Sequence, residues 1–408
     1  MINLNQATIR NVMLGAYLAG TLSCCKPAVP VNSPETLAAQ FSILLEQTDT
    51  DYELEKQQGG KRFFPRSLTE QGRISYVKSG DWCSGFFSGC LWYLADYTGD
   101  GKWKIPAQKY TEMLADEQWN KTTHDMGFKI MCSYGNALWQ TGNKDYGDVI
   151  VQSAKTLITR YNDTIGCIRS WDFNTEQWSF PVIIDNMMNL ELLFKATELT
   201  GDSIYYRIAV RHADTTLKNH FRPDYSSYHV VDYVPETGQV HERVTHQGDG
   251  DDSAWARGQA WGLYGYVMCY RFTHQPAYLQ QAQEIARYIF GHPNLPADKI
   301  PMWDFNYTEQ STESRDVSAA AIIASALLEL SGYVGEKSAE YKTLAGDILN
   351  TLGSKYALHN GERWGYLLDH SVGFRHRNHE VDVPLVYADY YYLEALIRQR
   401  NIQKRSFN

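Results

Sequence analysis

Apolar stretches and polar-faced stretches alternate along the chain from residue 80 onward. Residues 187–196 and 319–328 are apolar nearly all round, whereas Tyr205–Asp214 and Tyr278–Arg287 present one apolar and one polar face at helical spacing. The first kind predicts helices inside a fold and the second kind helices on its surface. Several apolar stretches close on Thr-Gly-Asp or Thr-Gly-Asn, at 98–100, 141–143 and 200–202, with Thr273–Pro276 and Tyr333–Gly335 in equivalent places. A glycine just past a helix supplies its left-handed cap, and the Asp or Asn beside it caps the helix that follows.

Each apolar stretch also opens on an acid: Asp81, Asp125, Asp185, Asp252, Asp316 and Asp382, spaced by 44, 60, 67, 64 and 66 residues. Every interval holds two helices and their loops, so the repeat predicts an all-α (α/α)6 toroid, a six-hairpin barrel. An inner helix that always follows a returning outer one runs parallel to its fellows. The N-termini of the inner six then gather at one rim, where the six acids converge beside Trp and His in a concave site. For any single one of these acids, helix capping is the ordinary account, contributing about 0.5–2 kcal/mol.

The N-terminal segment follows a different pattern. Residues 1–25 read as an export signal: Arg10 precedes an apolar run up to Cys25 that is too short to span a bilayer. Periplasmic residence is expected. Leu22–Cys25 approximates a lipoprotein cleavage box, which leaves a lipid anchor at Cys24 or Cys25 and a soluble mature chain as the two readings. Residues 26–40, with Pro27, Pro30 and Pro34, are expected to form an extended tether, and 41–402 one catalytic domain. The other five cysteines are odd in number and lack metal-type spacing, so they predict buried small hydrophobes rather than disulfides or zinc ligands. A net charge of −9 opposes general nucleic-acid binding. Aromatic residues make up 13% of the chain, 28 of them Tyr and 11 Trp, a supply of rings suited to stacking on sugars as well as to packing.

Two acidic openings carry unusual neighbours. Asp185 follows Val182, Ile183 and Ile184, an apolar setting that raises a carboxyl's pKa, and a second carboxylate nearby raises it further. A carboxyl kept protonated in this way is a general acid. Capping would pull the pKa down instead, and the residues alone leave the two outcomes open, with Asp185 favoured as the acid and Asp125, in His124–Phe128, as its support. Residues 245–261 gather His246, Gln247, Trp255, Arg257 and Trp261, and Arg257 and Trp261 share a helical face that Trp255 leaves, so at least one of these tryptophans is expected simply to pack. His229 sits in a Tyr-rich loop. Gly85 and Gly89, one turn apart, admit either a sugar or a neighbouring helix. The segment from His370 through Arg375 and Arg377 to His379 is either a solvated loop or a site for carboxylate or sulfate.

Taken in order, Asp81–Phe87, His124–Phe128, Ile168–Trp171, Ile184–Asn189, Thr245–Gln247, Asp252–Trp261 and Tyr387–Ala395 resemble the unsaturated glucuronyl hydrolases, glycoside hydrolase family 88. The resemblance covers almost all of the chain after the signal. It implies an (α/α)6 toroid and removal of a 4,5-unsaturated glucuronic acid from the non-reducing end of lyase-generated oligosaccharides, by hydration of a vinyl ether without cofactor or metal. It implies Asp185 as the acid that protonates C4 and Asp125 as the second essential carboxylate. His229, Gln247, Trp255, Arg257 and Trp261, with Trp82, His124 and Trp171, fall on substrate-contacting positions of the family. A Ser, Ser and Lys motif by which some relatives contact sulfate has no clean counterpart here, with Arg375 and Arg377 as substitutes. An unsaturated rhamnogalacturonyl hydrolase acting on pectin fragments is the nearest alternative, against which the 252–261 segment speaks. A non-catalytic glycan-binding lipoprotein is the alternative from another class.

Overall fold

The Thr-Gly turns fold as their residues dictate. Gly99, Gly142 and Gly201 take positive φ at the ends of their helices, and the side chains of Asp100, Asn143 and Asp202 accept the backbone N–H two residues on. The computed structural model describes residues 32–308 and 311–406. Its helices are α1 (Pro34–Gln57), α2 (Ser84–Thr98), α3 (Lys104–Glu112), α4 (Met126–Ile130), α5 (Asn136–Thr141), α6 (Lys144–Leu157), α7 (Leu190–Thr200), α8 (Ser203–Asn219), α9 (Ala256–Thr273), α10 (Pro276–Gly291), α11 (Val317–Leu330), α12 (Ser338–Thr351) and α13 (Val386–Ser406).

Two of the inner segments are composite. A π-helical turn, Met131–Gly135, joins α4 to α5, and a 3-10 segment, Ile184–Asn189, leads into α7. The inner ring closes on itself: α2 packs on α4, α4 on α7, α7 on α9, α9 on α11, α11 on α13, and α13 on α2. Outside it, α1, α3, α6, α8, α10 and α12 pack on their neighbours in the chain. The (α/α)6 toroid expected from the repeat is therefore the architecture of the chain.

Strands decorate one rim only. They are β1 (Phe64–Leu68), β2 (Ile74–Val77), β3 (Tyr161–Asn162), β4 (Cys167–Ile168), β5 (Pro181–Ile183), β6 (Val230–Tyr233), β7 (Val240–Val244), β8 (Ser371–Phe374) and β9 (His379–Val383), all paired antiparallel, with β5–β6–β7 the one three-stranded sheet among the described residues. All of them lie in connections that run from an outer helix to the next inner one. The inner-to-outer turns are short. The long connections thus stand over the N-termini of the inner helices, where the site was expected.

The N-terminal expectations fare differently. Residues 1–25, with Cys24 and Cys25, lie outside the described residues, as do 26–31 of the tether. From Pro34 onward the expected tether is instead α1. Ser33 accepts the N–H of Thr36, Pro34 stands at the first helical position where its missing N–H costs nothing, and Leu37, Phe41 and Leu44 are buried against the barrel. The five remaining cysteines are free and buried, as expected.

Glycines let the inner helices touch. A Cβ on Gly85 would come within 2.6 Å of the Phe128 carbonyl oxygen, one on Gly127 within 2.5 Å of Asn189 Cα, and one on Gly265 within 2.5 Å of Met187 Cβ. Gly85 and Gly89 therefore admit a neighbouring helix, not a sugar. Because the obstacle at Gly85 is backbone, Gly85→Ala is expected to lower stability by about 1–3 kcal/mol, read as a lower denaturant midpoint at unchanged m-value.

Candidate active site

A pocket of about 250 Å³ opens at the N-terminal rim of the inner helices. Eight of the ten residues singled out in the sequence line it: Trp82, His124, Asp125, Trp171, Asp185, Gln247, Trp255 and Arg257. His229 and Trp261 stand behind the wall. Larger grooves of about 530 Å³ lie elsewhere, as does one of about 390 Å³ between the far ends of α2, α9 and α13, and none of these unites the two acids with the His and Trp residues. Among the described residues, no group of three or more His, Cys, Asp or Glu side chains is placed to hold a metal ion.

The expected convergence of six acids is corrected to two. Only Asp125 and Asp185 reach the pocket. Asp81 and Asp316 are spent on arginines, Arg66 and Arg257, at 3.1 and 3.0 Å. Asp382 sits 2.6 Å from His370 within β9, and Asp252 is exposed in the loop before Trp255. The reason is local: Asp252 lies in a turn and Asp382 within β9, so each stands short of its helix start, Ala256 and Val386, and neither caps it.

Asp185 escapes the capping role. β5 runs to Ile183, pairs with β6, and turns into the 3-10 segment, so the carboxyl makes no cap to a following backbone N–H. It is buried, and its Oδ2 has no hydrogen-bond partner. Burial is the chief cause that pushes its pKa up to about 7, the Asp125 charge adds to it, and the Arg257 guanidinium opposes it most. Asp125 accepts the Thr123 hydroxyl at 2.7 Å and lies 3.2 Å from His124 Nε2. Burial lowers the His124 pKa, so that ring is neutral near pH 7.

His229 has a fixed tautomer. Its Nδ1 accepts the backbone N–H groups of His246 and Gln247 at 3.1 and 3.0 Å, and burial holds its pKa well below the usual imidazole range. The neutral ring therefore carries its proton on Nε2, which lies 3.7 Å from Asp185 Oδ2.

Arg257 is buried and already engaged. Asp316 and the Val372 carbonyl hold one terminal nitrogen and the Gly373 carbonyl holds the other at 2.7 Å, while Nε is buried without a partner. Its guanidinium lies over the Trp255 ring, 4.5 Å from the centroid. Gln247 Nε2 donates to the same Gly373 carbonyl at 3.1 Å. Trp261 is the tryptophan that packs: its ring meets Phe128 and Tyr391 at 5.0 and 5.4 Å. Its indole N–H has no hydrogen-bond partner yet lies near enough to favour the Asp185 anion slightly.

Arg66, Phe173, His246, Phe374 and Tyr387 also wall the pocket, outside the ten residues singled out. Tyr387, His246 and Phe374 lay inside segments already flagged, so proximity in the chain was the available signal. Arg66 carried none, because the helical repeat begins after it. In the C-terminal segment His379 and Phe374 line the pocket, whereas Arg375 donates to the Glu313 carbonyl and Arg377 lies over the Phe374 ring, both outside the lining.

A closed ring of helix pairs with a carboxylic acid held protonated near neutrality, in a pocket walled by tryptophan, defines an (α/α)6 enzyme of sugar chemistry. The model of Glycosyl Hydrolase Family 88 matches residues 61–359. An unsaturated glucuronyl hydrolase of Formosa agariphila is 52% identical over 346 residues, 84% of this chain and 86% of that protein. An unsaturated chondroitin disaccharide hydrolase of Streptococcus pyogenes serotype M1 is 32% identical over 373 residues, 90% of this chain and 92% of that protein. The crystal structure of an unsaturated glucuronyl hydrolase specific for heparin superposes with a TM-score of 0.84 at 45% identity, covering 91% of this chain and 97% of that one. The chain belongs to glycosyl hydrolase family 88 and is a glycosidase.

Proposed function

We propose that this chain removes the 4,5-unsaturated glucuronic acid from the non-reducing end of lyase-generated glycosaminoglycan fragments by hydrating its vinyl ether. The observation that carries the reading is the Asp185 carboxyl, buried, lacking a partner on Oδ2 and holding its proton up to about pH 7. Asp185 gives that proton to C4, and positive charge develops at C5 and the ring oxygen. Water adds to C5 and returns a proton to the Asp185 carboxylate. The hemiketal then opens by breaking the bond between C5 and the ring oxygen, and the neighbouring sugar leaves from C1. No carboxylate attacks the anomeric carbon, so the separation rule for retaining and inverting glycosidases does not apply.

The other residues bind and tune. Asp125 keeps Asp185 protonated by its charge and faces the same cavity as the substrate. His229 offers its Nε2–H beside the acid. Arg257 retains its Nε–H and one terminal N–H for the uronate carboxylate, and Trp82, Trp171 and Trp255 are rings for the flat unsaturated sugar. The 52% identity to a glucuronyl hydrolase favours this substrate over rhamnogalacturonyl fragments. We also propose export through residues 1–25 to the periplasm, the mature chain being either soluble there or lipid-anchored at Cys24 or Cys25.

The unsaturated uronate absorbs ultraviolet light and its hydration destroys that chromophore. Wild-type protein is expected to bleach unsaturated disaccharides prepared from heparin, chondroitin or hyaluronan and to leave those from pectin. Binding without bleaching would favour the glycan-binding alternative. The acid form of Asp185 is the active one, so kcat is expected to be level below about pH 6 and to fall tenfold per pH unit well above 7. A profile level from pH 5 to 9 would remove Asp185 from the acid role.

A further inference from the structure

One wall of the pocket is the hairpin β8–β9, and two arginines that line the pocket hold it at different points. Arg257 takes the carbonyls of Val372 and Gly373. Arg66 binds Glu380 in a fork, Nε to Oε1 at 2.6 Å and a terminal nitrogen to Oε2 at 2.7 Å. Each arginine is fixed by one of the acids read from the repeat, Arg257 by Asp316 and Arg66 by Asp81. Two of the four acids that do not reach the pocket as carboxylates, Asp81 and Asp316, thus act there through guanidinium groups.

The local backbone is built for this contact. The pairing of β1 with β2 shifts register between Pro65 and Ser67, which leaves Arg66 as the bulged residue, and a bulge re-aims a side chain. On the facing hairpin, Asn378, Glu380 and Asp382 all have positive φ, at 47, 56 and 58°. Three alternate residues in the left-handed region persist only where surrounding contacts over-determine them. Gly373 completes the fit: a Cβ there would lie 2.7 Å from Glu380 Cβ and would overlap its carboxylate. The carboxylate therefore crosses over Gly373 to reach Arg66, while the Gly373 carbonyl is bonded by Arg257 and Gln247.

We propose that Arg66 and Glu380 are positioning residues that hold the β8–β9 wall in register, so that Arg257 and Gln247 meet the substrate in a fixed geometry. The inference rests on the proposed hydrolase reading for its assay, and bleaching by wild-type protein tests that reading separately. Arg66→Ala and Glu380→Gln are each expected to raise KM by about tenfold or more while kcat stays within about threefold, because a displaced binding wall costs affinity before chemistry. Arg66→Lys, which keeps the charge and loses the fork, is expected to fall between them and wild type. The double variant is expected to be no worse than Arg66→Ala alone, since Glu380→Gln breaks a contact that Arg66→Ala has already removed.

Arg400→Ala serves as the control. It breaks an ion pair with Asp96 at the opposite end of the barrel, and is expected to lower the melting temperature without changing KM. The proposal is overturned if Arg66→Ala and Glu380→Gln bind substrate as wild type does, if kcat falls instead of KM rising, or if their effects add in the double variant. Should Arg66→Ala fail to fold, Arg66→Lys and Glu380→Gln decide the matter by the same criteria.

Discussion

Asp185→Asn is expected to bleach unsaturated disaccharides about 10²–10⁴-fold more slowly than wild type while still binding them, the range set by loss of a positioned general acid. The amide keeps the shape of the carboxyl and cannot deliver its proton. The same substitution is expected to stabilise the fold at neutral and alkaline pH. A carboxyl whose folded pKa is about 7 holds a proton that the unfolded chain releases near pH 4, so wild-type stability declines from about pH 4 to about pH 7 and stays lower above it. The shift corresponds to about 4 kcal/mol as an upper bound, and the amide escapes that cost. Thermal melts at pH 4 and pH 8 check this: the two proteins are expected to melt together at the lower pH, and the variant higher at the upper one. An Asp185→Asn protein that melts below wild type at pH 8 would mean that the native carboxyl is ionised and partnered.

Arg257→Ala is expected to lose stability as well as activity. Arg257 and Asp316 are buried together, and removing one partner of a buried pair costs about 3–5 kcal/mol because the other charge is left behind. The Val372 and Gly373 carbonyls lose their donor as well, so the β8–β9 wall is freed. A second substitution separates the two effects. Asp316→Asn removes the stranded charge and keeps an oxygen for the N–H groups of Ser318 and Ala319, so the Arg257→Ala/Asp316→Asn double variant is expected to recover stability and to remain inactive. Chemical unfolding and disaccharide bleaching on the same preparations check the split. Recovery of activity along with stability would show that Arg257 serves the fold alone.

Much of the scaffold was legible because helical periodicity and cap chemistry are local. Gly99 with Asp100 and Gly201 with Asp202 mark helix ends by backbone conformation, and no distant contact overrides them. The first outer helix was not legible, since Pro34 reads as a tether until Ser33 and the barrel surface turn it into a helix start. The rim strands were missed for a related reason: segments as short as Pro181–Ile183 owe their conformation to partners some fifty residues away, Asp232 to Val230.

The site divides along the same line. Asp185 was identifiable because its apolar setting reports on chemistry, and Asp125 and Arg257 because they stand among clustered His, Trp and Phe residues whose roles the family resemblance supplied. Whether Asp185 capped a helix or held a proton was decided by the 3-10 turn at 184–189, which no pattern announced. Trp261 was legible as a tryptophan of the site and misplaced in depth, because Phe128 and Tyr391, which bury it, come from other parts of the chain. Arg66 shows the limit most plainly, being aimed by a bulge and held by Glu380, 314 residues away.

The chemistry turns on the protonation state of one side chain near neutral pH. An infrared difference titration of wild-type protein against Asp185→Asn isolates the stretch of its protonated carbonyl. That band is expected to persist to a midpoint close to pH 7 and to vanish above it. A band already gone at pH 5 would show an ionised Asp185 in the resting enzyme and would contradict the assignment of the acid.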